Sequence, residues 1–298
     1  MKVLDVVYYL TQRKIGLDIL GDIQVELTGY SSLYHYKPGT FAWARDKATF
    51  EARPSGMCDK IALLITSYDN PGLEYCDAKI LTDDPRSVFF AIIDHFWGVP
   101  VNKGISDRAV IEPDAVVGQD VSIGAGCVIS AGTRIGARSV LGCNVVTMGR
   151  VEIGEDCHIQ SGVIIGEDGM ALVKDDGNRK PIPHYGGVII GDRVYIGANT
   201  CICRGTVEDT ILENDVKVDK LCHIAHNCMI GERTLLMAGT VLLSSVEVGK
   251  DTRINSALIK EQRDIGSNVL ISHGTVVTQK LDDGVLAQGN PMSIVKRK

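Results

Sequence analysis

The chain has 298 residues, 45% of them hydrophobic and 23% charged, and a formal net charge of −6. That length builds one large domain or two ordinary ones, and the acidic balance excludes a general polyanion binder, so nucleic acid is not an expected partner. No apolar run reaches the roughly 20 residues that cross a bilayer, so no membrane insertion is expected.

Nine cysteines occur without a C-x-x-C pair. The opening MKVLDVVYYLTQRK has no signal-peptide pattern, so the thiols read as free and the protein as cytoplasmic. Residues 1–103 read as a small α/β domain. Leu4 to Leu10 reads as a short helix, and DIQVEL, KIALLIT and AKIL read as strands. Asp84 and Pro85, as cap and first-turn proline, open a helix through RSVFFAIIDHFW. The stretches YSSLYHY and YKPGTFAWARDKATF place Phe41, Trp43 and Phe50 near the turn-forming Pro38–Gly39, where aromatics either fill a core or hold a base.

From Ile105 a period of six takes over: ISDRAV, IEPDAV, VGQDVS, IGAGCV and onward in phase to Met170, with only Thr147 breaking the aliphatic first position. After an insertion at about 171–187 the phase resumes at Ile190 and slips after Ile202. It then runs from Leu212 to Ile254 and restarts at Ile265. An aliphatic residue every sixth position, often followed by Gly, predicts a coil of three short strands per turn over 104–281, with coils stacked about 4.8 Å apart. A short tail follows at 282–298, ending in Lys296, Arg297 and Lys298.

Within the coils, HIAHN carries His223 and His226, which the spacing alone leaves as metal ligands, a proton-transfer pair or packing. Residues three apart in a six-residue repeat need not face the same way. Zinc would need a third ligand from His158, His184 or His273. No metal is expected.

The stretch HYGGVIIGDRVYIGANTCICRGTVEDT, followed by VKVDKLCHIAHNCMIGERT, resembles the core of the UDP-3-O-acylglucosamine N-acyltransferases of lipid A synthesis. The resemblance covers most of the chain, because PGTFAW, ALLIT and DDPRSVFFAI fall where that family's N-terminal uridine-binding domain has its motifs. It implies a mainly β fold, a left-handed parallel β-helix preceded by a small α/β domain, associated as a homotrimer with sites between subunits. The implied reaction moves a 3-hydroxyacyl group from an acyl-carrier-protein thioester to the 2-amine of UDP-3-O-acylglucosamine, with no cofactor beyond the thioester donor. His226 is implied as general base, with Asp219 orienting or charge-stabilising its ring and Asn227 accompanying the motif. Trp43 is implied to stack on uracil, with Phe41 and Phe50 as neighbouring aromatics of the nucleotide end. Gly239 and Ser244 are implied as backbone neighbours of the thioester.

Several positions depart from the family pattern. Cys203 stands in place of its Asp, His223 where it usually has another residue, and Ser244 in place of a Gly. LIKEQRDI is one residue shorter than the family's segment and lacks its second histidine. The close of the prism is not followed by the family's C-terminal helices, which engage acyl carrier protein; the basic tail could meet an acidic carrier or a phosphopantetheine phosphate. These departures keep two alternatives in view. One is transfer to another nucleotide-linked amino sugar from a short acyl-CoA, with Val276 near the place where relatives set chain length. The other is a non-catalytic sugar-nucleotide-binding scaffold.

Overall fold

The computed structural model describes residues 1–52, 60–68, 75–98 and 104–296; Arg297 and Lys298 of the basic tail lie outside them. The chain divides into two compact units, Met1–Val101 and Asn102–Lys298.

The first unit holds helices α1 (Val3–Gln12), α2 (Lys47–Glu51) and α3 (Pro85–Trp97), with strands β1 (Asp18–Gly21), β2 (Gly29–Tyr30), β3 (Thr40–Trp43), β4 (Ile61–Thr66) and β5 (Cys76–Leu81). The sheet order is β1-β5-β4-β3-β2, with β1 antiparallel to β5 and the other pairs parallel. Every residue of β4 is buried, as a central parallel strand covered on both faces requires. Asp84 caps α3 by accepting from Ser87 N at 3.1 Å, and Pro85 follows at the first turn.

DIQVEL is not a strand. Asp22 Oδ1 accepts from Gln24 N at 2.8 Å and turns the chain. The carbonyls of Ile23 and Val25 then accept from Leu4 N and Val3 N, so this backbone satisfies the first turn of α1 instead of pairing in the sheet.

Two of the aromatic candidates are core residues. Phe41 is fully buried among Tyr30, Phe89 and Trp97, and Phe50 packs in a second cluster with Leu33, Ile61 and Leu64. Their ring faces are covered, so neither offers a stacking surface to a base. Trp43 is only half-buried, tilted against Phe89 at 6.3 Å between ring centroids.

The second unit is a parallel β-helix of three sheets. Val128, Val146 and Ile164 pair in one sheet, Ser122, Val140 and His158 in the second, and Val116, Arg134 and Glu152 in the third. Each residue pairs with one three hexads further on, so three hexads close one coil. The first positions Ile123, Ile129, Ile135, Leu141, Ile153, Ile159 and Ile165 point inward from the three sheets and form one buried core. Corners between strands put one residue into the left-handed region, such as Asp120 (φ 57°), Asn144 (φ 57°) and Asp156 (φ 54°). Asn and Asp tolerate that conformation better than other non-glycine residues.

Among the irregularities of the coil, three lie before its last turn. The first is an exposed antiparallel hairpin of Leu172–Asp175 and Asn178–Pro181, inside the insertion. The second is a short strap, residues 204–209, which moves the pairing of Cys201 out to His223. The third is a shortened corner at Ser256 (φ 41°), which accounts for the missing residue near LIKEQRDI. The tail forms a strand pair, Val285–Gln288 with Ser293–Lys296.

Thr147, the one break in these aliphatic first positions, is fully buried and satisfied. Its Oγ1 accepts from Ser130 N at 3.1 Å and lies 2.9 Å from Thr133 Oγ1. Thr147→Val should therefore destabilise the chain by about 1–3 kcal/mol, because it leaves a buried N–H without an acceptor. Denaturant unfolding checks this; a variant as stable as the parent would refute the interior hydrogen bond.

Candidate active site

The corner after the strand His223–Ile224 carries Ala225, His226 and Asn227. Asn227 takes the left-handed position (φ 62°), and its N–H donates to Thr210 Oγ1 at 2.9 Å, which fixes where its amide points. Asn227 Oδ1 accepts from Thr206 N at 3.1 Å and from Thr206 Oγ1 at 3.0 Å, both supplied by the strap. A backbone N–H can only donate, so the Asn227 atom it meets is the carbonyl oxygen. His226 Nδ1 lies 2.9 Å from that same oxygen. Two acceptors cannot make a hydrogen bond, so Nδ1 carries the proton and Nε2 keeps its lone pair.

His226 stands on the wall between two hollows. One, of about 510 Å³, is lined by Gly169, Cys201, His223, Leu243 and Ser244 as well as His226. The other, of about 640 Å³, is lined by Thr206, Asp209, Asn227, Met229 and Ser245 with the same imidazole. A larger hollow of about 840 Å³ runs on past Met229 and Glu247 to Lys280 and Asp283, but neither histidine nor cysteine lines it. The histidines and cysteines therefore border the smaller pair.

Gly169, at the start of the insertion, lies against the imidazoles. A Cβ there would come within 2.5 Å of His226 Cδ2 and 3.1 Å of His184 Nε2. His184 is buried, edge-on to His226 with ring centroids 5.1 Å apart. Its Nδ1 is 3.0 Å from the Ile182 carbonyl, which can only accept, so in the neutral ring Nε2 carries the lone pair; that Nε2 is buried with no partner among the described residues. His184 N donates to Asp168 Oδ2 at 3.4 Å, and Arg204 Nε donates to Asp168 Oδ1 at 2.6 Å. Burial pushes the Asp168 carboxyl up, but the Arg204 hydrogen bond and charge outweigh it and hold it below the usual carboxylate range. Insertion and strap are thus clamped beside His226.

Comparison with known proteins places the chain in a family. The model for the bacterial transferase hexapeptide (six repeats) matches residues 104–137 and 132–167, and that for the hexapeptide repeat of succinyl-transferase matches 187–219. A UDP-3-O-acylglucosamine N-acyltransferase of Xanthomonas axonopodis pv. citri (strain 306) is 38% identical over 246 residues, covering 76% of this chain and 72% of that one. The same-named protein of Xanthomonas oryzae pv. oryzae (strain KACC10331 / KXO85) is 39% identical over 234 residues, covering 72% and 68%. The chain belongs to the UDP-3-O-acylglucosamine N-acyltransferase family. It is an acyltransferase. Among solved structures, the UDP-N-acetylglucosamine acyltransferase from Campylobacter jejuni superposes with a TM-score of 0.59 at 26% identity, over 64% of this chain and 74% of that one. The fold is the left-handed, hexapeptide-repeat β-helix.

The remaining candidate residues divide by prism edge. Ser244 faces the cavity with His226, and its N–H and hydroxyl make no hydrogen bond among the described residues. Asp219 and Gly239 lie on the corners after Lys217–Val218 and Leu235–Leu236, a different edge from that of His226. Within one chain Asp219 does not meet His226: its Oδ1 accepts from Lys220 N at 2.8 Å. The Gly239 N–H is spent on Lys220 O at 3.0 Å, so it cannot serve an oxyanion in this chain. Among the described residues no further histidine joins His223 in a ligand group: His158 stacks on Tyr195, and His184 packs edge-on against His226. The residues that sequence reasoning missed are His184 as a neighbour of His226, and Thr206. His184 stood in the HYGG motif, but the length of the insertion hid its approach.

Nitrogen NMR of the imidazoles, assigned with His226→Gln, should find His226 protonated at Nδ1. Asn227→Ala should abolish that preference, and an Nε2-protonated ring in the parent would contradict the assignment.

Proposed function

We propose that the chain transfers an acyl group from an acyl-carrier-protein thioester to the 2-amine of UDP-3-O-acylglucosamine, with His226 as general base. The observation that carries this reading is the hydrogen-bond chain from Thr206 N–H through Asn227 Oδ1 to His226 Nδ1, which leaves Nε2 as an acceptor between two hollows. As the amine nitrogen bonds to the thioester carbonyl carbon, Nε2 takes the amine proton. The C–S bond then breaks, and the imidazolium returns that proton to the departing thiolate. The unpartnered Ser244 N–H supports a role as oxyanion donor in the tetrahedral intermediate.

Trp43, the half-buried aromatic of the nucleotide-binding unit, stacks on the uracil of the acceptor in this proposal. The working unit is a homotrimer in which Asp219 reaches His226 from a neighbouring copy, since its own chain keeps the two on separate edges. No cofactor takes part, and the reaction is cytoplasmic, as part of lipid A synthesis.

Thiol release by the purified chain tests the reading, crossing UDP-3-O-acylglucosamine and other UDP-amino sugars with acyl-carrier thioesters and short acyl-CoAs. The expected result is turnover with the acylated glucosamine and carrier, lowered roughly 10²–10⁴-fold by His226→Ala. Turnover only with another sugar or a short acyl-CoA would assign different substrates to the same base. Turnover unchanged in His226→Ala would remove His226 as the base, and silence with every pair would leave a sugar-nucleotide-binding scaffold. Trp43→Ala should raise KM for the nucleotide sugar while kcat holds; an unchanged KM would exclude the stacking role.

A further inference from the structure

One wall of the smaller cavity carries a side-chain cluster that acyl transfer does not use. Cys201 and Cys203 lie two apart on one strand, so both turn away from the core side that Ile202 occupies, and Ile202 is fully buried. His223 pairs in register with Cys201 on the following coil. Adjacent strands lie about 4.8 Å apart, so an in-register partner brings its side chain alongside. The two sulfurs and one ring nitrogen all lie within 4.8 Å of one another. Cys203 is almost fully buried and Cys201 half-buried, and both face the cavity.

We propose that Cys201, Cys203 and His223 form a binding site for a thiophilic divalent cation of the zinc class, with a fourth coordination position open to the cavity.

Two sulfurs and an imidazole are a soft, borderline donor set that suits zinc and disfavours calcium and magnesium, which take oxygen. Tetrahedral zinc with ordinary Zn–S and Zn–N lengths sets its donors roughly 3.5–3.8 Å apart, so donors within 4.8 Å of one another need close by no more than about 1 Å on binding. No carboxylate belongs to the group among the described residues. That leaves the fourth position to water or to a ligand from the cavity, the arrangement of open three-ligand sites. Hydrogen bonds from Cys203 and then His223 pull the Cys201 thiol down to about 5, while its bond to Cys201 and burial push Cys203 up. Cysteine ligates zinc as the thiolate, so metal binding releases the thiol protons. The proposal does not depend on the acyl-transfer reading.

The test is cobalt(II) titration of the full-length chain after chelator treatment. The expected result is one equivalent bound, with thiolate-to-cobalt charge-transfer absorption and the intense visible bands of a tetrahedral site, displaced by zinc. Cys201→Ser and His223→Gln should abolish the spectrum, while Cys143→Ser, which removes an exposed thiol elsewhere, should leave it unchanged. Circular dichroism reports whether each variant folds. If Cys201→Ser does not, Cys203→Asp supplies the discriminating measurement, because it restores the family's residue and should lose half of the charge-transfer intensity. A parent chain that binds no cobalt would overturn the proposal. So would a tetrahedral thiolate spectrum that folded His223→Gln and Cys203→Asp leave intact.

Discussion

The site depends on one hydrogen bond whose direction admits a single reading. Thr206 N–H can only donate, and it donates to Asn227 Oδ1. That identifies the oxygen, the oxygen identifies the proton on His226 Nδ1, and the proton leaves Nε2 as the acceptor. A histidine at a corner of a β-helix is otherwise a polar side chain in solvent. What sets this one apart is the strap between Cys203 and Thr210, four residues more than the hexad needs, which bends back to hold Asn227. In the proposed reaction the interruption in the repeat does the chemistry, and the regular repeat supplies its rigidity.

The coil supplies that rigidity through a simple division of labour. Aliphatic first positions stack into one core, and burying each side chain contributes about 1.5–3 kcal/mol. Corners absorb the turning through left-handed residues, and at Asn227 this conformation and the functional amide coincide. Because strands three hexads apart pair in register, substituents on successive coils line up. In the coil lengthened by the strap the same stacking brings Cys201 beside His223, and it places Ser245, whose N–H donates to His226 O at 3.0 Å, one coil beyond His226. The eight cysteines among the described residues are free, consistent with packing and ligand roles instead of cross-links.

The period of six made the β-helix legible, since no other common architecture repeats an aliphatic residue at that interval. The cap at Asp84 and the run KIALLIT were equally clear. DIQVEL misled because alternation cannot show that its carbonyls are committed to the start of α1. Phe41 and Phe50 misled for a related reason: an aromatic beside a turn carries no mark of whether its face is covered. At the site, HIAHN pointed to His226 and Asn227, but not to the direction of the bond between them. That direction needed Thr206, which lies 21 residues away. His184 approaches across an insertion of irregular length, and no spacing rule predicts such a contact. Asp219, close to the base in sequence, falls on another edge of the prism because six residues carry the chain round one corner.

The measurement that bears most directly on this account is steady-state kinetics of Asn227→Ala and Asn227→Asp beside the parent chain. If Asn227 Oδ1 fixes the proton on Nδ1, Asn227→Ala lowers kcat about a hundredfold with KM little changed, the scale of a general base held in the wrong form. Asn227→Asp, which keeps an acceptor at the same place, retains most of kcat, and its pH–rate profile moves to higher pH because the carboxylate favours the imidazolium. Equal turnover in the parent chain and both variants would show that the tautomer is not set by Asn227, and would contradict the central claim.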